Sequence, residues 1–360
     1  MTDRMVNQFM EMVRIDSESG NEAEFMEYLL GAVAEIGGAP ALDEYGNLIA
    51  AFEAVGCEGV QPILLSCHGD TVKPGVGIEP VLIDGVIRSK GDTILGADDK
   101  AGIAEVLEAL RIAPVRPPIE FAVSRQEEVG LLGVKALDFS RLTARRGFLM
   151  DNDTLDTVII GGPTYFAIDV AVGGRSAHAG MEPEKGVNAI LAASRAIAAL
   201  PLGRIDHETT ANVGVITGGV IRNGVPDSCE FLAECRSANH EKAVKLAAEM
   251  ETILKREIEA AGASAAITLD EKCRAVRIPE DAWSVRVAKE ALGSVGIEAE
   301  AVFMTGFTDA SIYNNRGIEM AVIGIGAQNE HSTHECIEVA DMERAVAVLL
   351  EIFRLVASGS

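Results

Sequence analysis

Stretches whose apolar residues recur every three or four positions alternate along this chain with shorter, densely apolar runs that end in polar tips. Over about 21–36 the pattern EAEFMEYLLGAVAEIG predicts a helix, preceded by Ser19 with Glu22 three residues on, the spacing of a capping box. Short β-like runs follow in GNLIAAFEA and PILLSCHGD. A helix begins directly after GADDK, and IEFAVSRQEEVG and RGFLMDND each read as a strand running into a polar loop. Strand, polar tip, helix, strand, polar tip is the rhythm of an α/β sheet, where chemistry collects just past the carboxyl ends of the strands.

The texture changes near residue 163. YFAIDVAVGG predicts a strand, GVNAILAASRAIAAL a helix, TTANVGVITGG and SCEFLAECRS two strands, HEKAVKLAAEMETILKREIEAAG a long helix and ASAAITLDE a last strand. The order β-α-β-β-α-β is the split βαβ plan of a ferredoxin-like domain. From EDAWSVRVAKEALGSVG onward the α/β style returns. The expectation is an α/β protein of two domains: a discontinuous one formed by 1–163 and 276–360, and one inserted at 164–275.

Composition narrows the function. With 360 residues, two domains are expected, and 48% hydrophobic residues supply their cores. Aromatics are only 4%, so the interior is built from Ala, Val, Ile, Leu and Met. A net charge of −24 argues against a nucleic-acid partner, which needs clustered Lys and Arg, and against docking on anionic membranes. Six scattered cysteines with no CxxC pair predict reduced, mostly buried thiols in a cytoplasmic protein. The amphipathic N-terminus lacks the apolar core of a signal peptide, and no run is long and apolar enough for a membrane span.

Candidate chemistry sits at the strand tips: His68 and Asp70 in LSCHGDTV, Asp98 in GADDKAG, Glu127 and Glu128 in RQEEVG, Asp151 in LMDND, and His331 in GIGAQNEHSTHE. Each alone has an ordinary explanation. Asp98 and Asp99 at a helix start suit N-capping, EE in a loop is usually solvated, and DND suits a turn. Together they offer two imidazoles and several carboxylates from successive tips of one sheet. That donor set suits a pair of divalent metals, commonly zinc, because one zinc would need only three protein ligands.

The motifs HxDTV, GADDKAG, EEVG, GGRSAHAGMEPEKGVNAI, GGVIRNGVPDS and HSTHE occur in the order found in the di-zinc peptidases related to carboxypeptidase G and aminoacylase. The chain resembles most the peptidase T (tripeptide aminopeptidase) branch, over essentially its whole length. The resemblance implies a catalytic α/β domain with an inserted dimerisation or lid domain, and two Zn2+ per subunit, with Co2+ or Mn2+ as alternatives. His68, Asp98 and Asp151 would bind one metal and Asp98, Glu128 and His331 the other, with Asp98 bridging the two and the peptide bond from Asp98 to Asp99 cis. Asp70 would fix the His68 tautomer, and Glu127 would be general base for a water held between the metals. His178 in GGRSAHAG would reach the partner's site in a homodimer and stabilise the oxyanion. Asn223 and Arg222 fall where the family contacts the substrate's backbone or carboxylate. His331 is preferred over His334 because Glu335 follows it by four. Cys67 reads as a packing thiol or a stray ligand, and Arg236 as structural.

The implied activity is a cytoplasmic di-zinc aminopeptidase acting on tripeptides or dipeptides. In the family an Asp at position 151 goes with aminopeptidases and a Glu with carboxypeptidases and deacylases. The rival enzyme is an N-acyl- or N-carbamoyl-amino-acid amidohydrolase on the same site. The rival of another class is an inactive peptide- or metal-binding relative, against which Glu127 and every expected ligand are present.

Overall fold

Four parallel strands form the centre of the larger unit, in the order Ile119–Ser124, Ile63–His68, Arg146–Met150 and Glu319–Ile323. Almost every residue in them is buried, as expected of parallel strands covered on both faces. Antiparallel strands flank them: Leu48–Phe52 and Ala39–Leu42 on one side, Thr157–Gly162 on the other. Because the four are parallel, His68, Ser124, Met150 and Ile323 all end at one edge of the sheet. The structure, a computed structural model, describes residues 2–359.

The helix Ala97–Ile112 packs among the strand Ile63–His68 and the helices Thr2–Val13 and Val339–Ala357. Every residue from Ala97 to Leu110 is buried, which explains why GIAEVLEAL lacks a clear polar face. Gly102 allows the close approach, since a Cβ there would lie 2.3 Å from Asp99 Oδ1 and 2.9 Å from the Met150 backbone. Lys100 is wholly buried. Its ammonium donates to the carbonyls of Met12 and Ile15 at 3.1 and 2.7 Å and lies 4.5 Å from the Phe25 ring centroid, and burial pushes its pKa down to about 7.

The helix expected over 21–36 runs Ala23–Glu35, but the capping box in front of it does not form. The Ser19 hydroxyl donates instead to Asp70, and Glu22 takes Arg125 and the Gly20 N–H. Asp70 and Arg125 lie far along the chain, where a local spacing rule cannot see them.

The second unit comprises Gly162–Val276 with Thr305–Phe307. Its antiparallel sheet runs Gly203–Arg204, Thr209–Gly218, Ser228–Ser237, Thr164–Gly173, Ser264–Cys273. Strands Thr164–Gly173 and Ser228–Ser237 alternate between buried and open positions, the period of two read from the sequence. The helices Ala189–Ala199 and His240–Ala260 close the core with Phe166, Ile168, Phe231 and Leu254. Phe307 belongs here because its ring stacks on Tyr165 at 5.2 Å. Arg236 lies 4.5 Å over the Tyr165 ring and donates to the Thr305 carbonyl at 3.3 Å. All six cysteines are free thiols, five of them buried. Among the described residues no helix is long and apolar enough to cross a membrane.

Candidate active site

His68 is the last residue of its strand, and its imidazole is anchored at both nitrogens. Nδ1 lies 3.0 Å from the backbone carbonyl of Asp70. A carbonyl only accepts, so Nδ1 carries the proton and Nε2 is left as the donor atom for a ligand. The Asp70 carboxylate is farther, at 3.5 Å. Its main partners are the Ser19 hydroxyl at 2.6 Å and the backbone N–H groups of Glu127 and Glu128 at 2.8 and 3.3 Å. Asp70 thus ties the tip of one strand to the RQEEVG loop of the next.

His68 Nε2 faces Asp98 Oδ1 at 3.0 Å and Asp151 Oδ1 at 3.8 Å. His331 Nε2 faces Asp98 Oδ2 at 3.1 Å and Glu128 Oε1 at 2.9 Å. The two oxygens of Asp98 therefore look toward two different imidazoles, each with a further carboxylate beside it. His68, Asp98 and Glu128 place ligand atoms within 4.8 Å of one another. His334 makes no such approach. Its backbone N–H donates to the Ser332 hydroxyl oxygen at 3.2 Å, and the residue is exposed.

Asp98 and Asp99 are not helix caps. Gly96 is the N-cap residue, with φ +73°, and both aspartates are non-helical. The peptide bond between them is cis. Asp99 is fully buried, and its Oδ2 accepts the His68 N–H at 3.0 Å. Glu335 accepts four consecutive backbone N–H groups of this same turn, from Leu95 to Asp98.

Glu127 and Glu128 follow Gln126, whose φ of +53° turns the chain sharply after the strand end. The neighbours separate as adjacent residues on an extended turn do. Glu128 meets His331, while the Glu127 carboxylate has no hydrogen-bond partner among the described residues, and Glu127 as a whole is 6% exposed. Burial pushes Glu127 well above the usual carboxylate range. His68 opposes the shift, and Asp309, Glu128 and Asp70 add to it.

Asp309 is the residue of this group that sequence reading missed. It is fully buried, accepts the Ser124 hydroxyl, and leaves its other oxygen unpartnered, and burial pushes its carboxyl up to about 7. FTDAS just before a short helix looks like an ordinary cap. The available signal was one more acid shortly after a β-like run.

The donor set fits divalent cations. Asp151 Oδ2 is buried without a partner. Burial raises the carboxyls of Asp151 and Glu128, and neighbouring negative charge adds to both. Such crowding calls for positive charge between the groups. Cys67 contributes no ligand. It is fully buried, and burial pushes its thiol well up, which keeps it a packing residue.

Acid should compete with cations here. Burial lowers the His68 pKa, but its bonds to Asp70 and Asp98 outweigh this and raise it, and bonds to Asp98 and Glu128 lift His331 to about 11. A raised imidazole pKa stabilises the metal-free fold below the ordinary His range, and the contribution fades as pH climbs toward the raised value. Cation binding must displace those protons. Zinc titration of the metal-stripped protein at about pH 7 should release protons, read from calorimetry in buffers of different ionisation heat, and affinity should rise with pH. A proton-neutral titration would contradict the assignment of these imidazoles as ligands.

In the inserted unit the pair Ala177–His178 runs antiparallel to Gly224–Val225, which sets His178 opposite Gly224. Ala179 N–H donates to the Asn223 carbonyl at 3.0 Å, so His178 and Asn223 share one exposed edge with Arg222 beside them. Gly180 N–H donates to His178 Nδ1 at 3.2 Å, which leaves the proton of the neutral ring on Nε2, and the residue is exposed.

Carboxylates and imidazoles gathered at the carboxyl edge of a parallel sheet, with a ferredoxin-like unit inserted in the chain, define a metal-dependent hydrolase of α/β design. Comparison with known proteins narrows the class. Residues 164–261 match the M20 family's "Peptidase dimerisation domain". The structure is similar to aminopeptidase PepT from Bacillus cereus, with 36% identity, 99% of each chain covered and a TM-score of 0.88. It is also similar to a tripeptidase from Staphylococcus aureus, with 32% identity, 99% of each chain covered and a TM-score of 0.93. Peptidase T of Shouchella clausii is 30% identical over 81% of this chain and 73% of its own. The chain belongs to the M20 peptidases, among their peptidase T-like members. It is a peptidase.

Proposed function

We propose that the protein is a di-zinc aminopeptidase that removes the N-terminal residue of tripeptides or dipeptides, working as a homodimer through the inserted unit. The observation that carries this reading is Asp98, whose two oxygens face two imidazoles at 3.0 and 3.1 Å. His68, Asp98 and Asp151 would hold one cation, and Asp98, Glu128 and His331 the other. Imidazole and carboxylate donors suit zinc. When bound, the cations would supply Lewis acidity and a water made acidic enough to deprotonate near neutral pH.

The chain's own groups do the rest. Glu127 takes the proton of the attacking water on its unbonded carboxylate and delivers it to the leaving amine. Burial raises its pKa, which makes the carboxylate a stronger base for the water's proton. Asp70 keeps the Glu127 loop in place through two backbone N–H bonds. His178 of the partner subunit would donate Nε2–H to the developing oxyanion, and Asn223 and Arg222 would bind the substrate's backbone or carboxylate. The names of the two solved relatives, an aminopeptidase and a tripeptidase, favour short peptides with a free N-terminus.

A length series of peptides with free and blocked N-termini, beside N-acetyl and N-carbamoyl amino acids, tests the reading. Free tripeptides and dipeptides should be cleaved at the first bond and their N-acetylated forms spared. Turnover of N-acyl or N-carbamoyl amino acids with free peptides untouched would replace it with the amidohydrolase reading. Metal-replete protein inert to all of these would favour a binding role.

A further inference from the structure

Glu335 belongs to neither proposed ligand set, yet it is bound tightly to both sides of the site. The residue is 3% exposed. Oε2 accepts the N–H groups of Leu95 and Gly96 at 2.7 Å each, and Oε1 those of Ala97 and Asp98 at 2.8 and 3.1 Å. The left-handed φ of Gly96 turns four successive amides toward one point, a nest that suits an anion. The last of them is the amide of Asp98 itself.

On its own side, Glu335 follows His331 by four residues. The intervening turn is closed by Glu335 N–H on the Ser332 carbonyl at 3.1 Å and by the Ser332 hydroxyl on the Asn329 carbonyl at 2.7 Å. His331 has φ +57° inside that turn. Just beyond, Cys336–Glu338 is fixed by pairing with Val86–Ser89. The loop before Asp98 has other anchors, such as Ile94 N–H on the Pro74 carbonyl at 2.9 Å. The carboxylate is therefore not needed merely to keep that loop attached.

We propose that Glu335 is a positioning residue that sets Asp98 and His331 relative to each other, and so fixes the spacing of the two cation positions. The inference rests on reading Asp98 and His331 as cation ligands. A short, buried, four-fold hydrogen-bonded link between two segments 237 residues apart acts as a spacer between their ligand atoms. Hydrogen bonds to an ionised carboxylate are stronger than neutral ones, and such outer partners tune metal affinity.

Zinc titration of the metal-stripped full-length protein, by calorimetry and by metal analysis after dialysis, tests it with Glu335→Gln and Glu335→Asp. The glutamine offers one acceptor oxygen and turns an NH2 toward amides that also donate. Zinc affinity should fall roughly 10–100-fold, the scale for lost outer partners, and excess zinc should restore turnover with KM for peptide little changed. Glu335→Asp keeps the charge on a shorter arm and should fall between Gln and wild type. If Glu335→Gln does not fold, Glu335→Asp carries the test alone. Wild-type zinc affinity in the folded variants, with only a lowered melting temperature, would overturn the proposal. His331→Ala run alongside separates the two levels. If it loses zinc while Glu335→Gln does not, only the positioning role fails. If it keeps two zinc ions at wild-type affinity, the ligand reading beneath it fails.

Discussion

Glu127→Gln is expected to keep the fold and the bound cations and to lose roughly 10²–10⁴-fold in turnover, the scale of general-base loss. The side chain is nearly enclosed, and no described residue hydrogen-bonds its carboxylate, so the isosteric amide breaks no contact. What it removes, on the proposed role, is the capacity to accept the water's proton. Glu128→Gln should behave in the opposite way. Its Oε1 lies 2.9 Å from His331 Nε2, so the change should lower cation content, and activity should follow metal loading. Metal analysis beside single-turnover rates reads both. If cation content fell with Glu127→Gln and stayed whole with Glu128→Gln, the two roles would be exchanged.

Mixed dimers of two inactive variants should regain activity. The hypothesis is that His178 serves the partner's site. Its motivation is the exposed His178 on an edge shared with Asn223, in the unit that matches a peptidase dimerisation domain. His178→Ala alone should cost roughly 10²–10³-fold in turnover, the range for one oxyanion donor. When Glu127→Gln and His178→Ala chains are unfolded, mixed and refolded, half the dimers are mixed. A reciprocal two-fold arrangement gives each mixed dimer one intact site, so about a quarter of all sites should recover. If His178 acts within its own chain, every site lacks one group and mixing recovers nothing. A fully active monomer by light scattering would sink the hypothesis as well.

Much of the fold was legible because its signals are local. Period-two alternation over Thr164–Gly173 and Ser228–Ser237, and helical spacing over Ala23–Glu35, depend on residues two to four apart. The ferredoxin-like order of elements followed from that pattern alone. The polar tips were legible too. An acid or imidazole after an apolar run stands out, and in a parallel sheet such tips must share an edge. His68 and Glu128 do follow strands of that sheet, but Asp98 opens the helix Ala97–Ile112 and His331 follows Ala327–Gln328 of a separate antiparallel sheet, so packing rather than strand order brings these two within 3.1 Å of their partners.

Tertiary structure decided which partner each polar atom takes. Ser19 and Glu22 had the spacing of a cap, but their side chains serve Asp70 and Arg125, 51 and 103 residues away. Asp70 holds His68 most closely by its backbone carbonyl, at 3.0 Å against 3.5 Å for its carboxylate. Asp309, at the start of a short helix, gave no distinguishing signal in the sequence, and only burial sets it against Ser124 and near Glu127. The GADDKAG turn waited for Glu335 to gather its amides. Periodicity reports only which face of an element is apolar, so the sequence by itself determined the elements and the acidic edge. Buried hydrogen bonds are made across long loops, whose closure cost varies only slowly with length, so the choice among partners falls to packing.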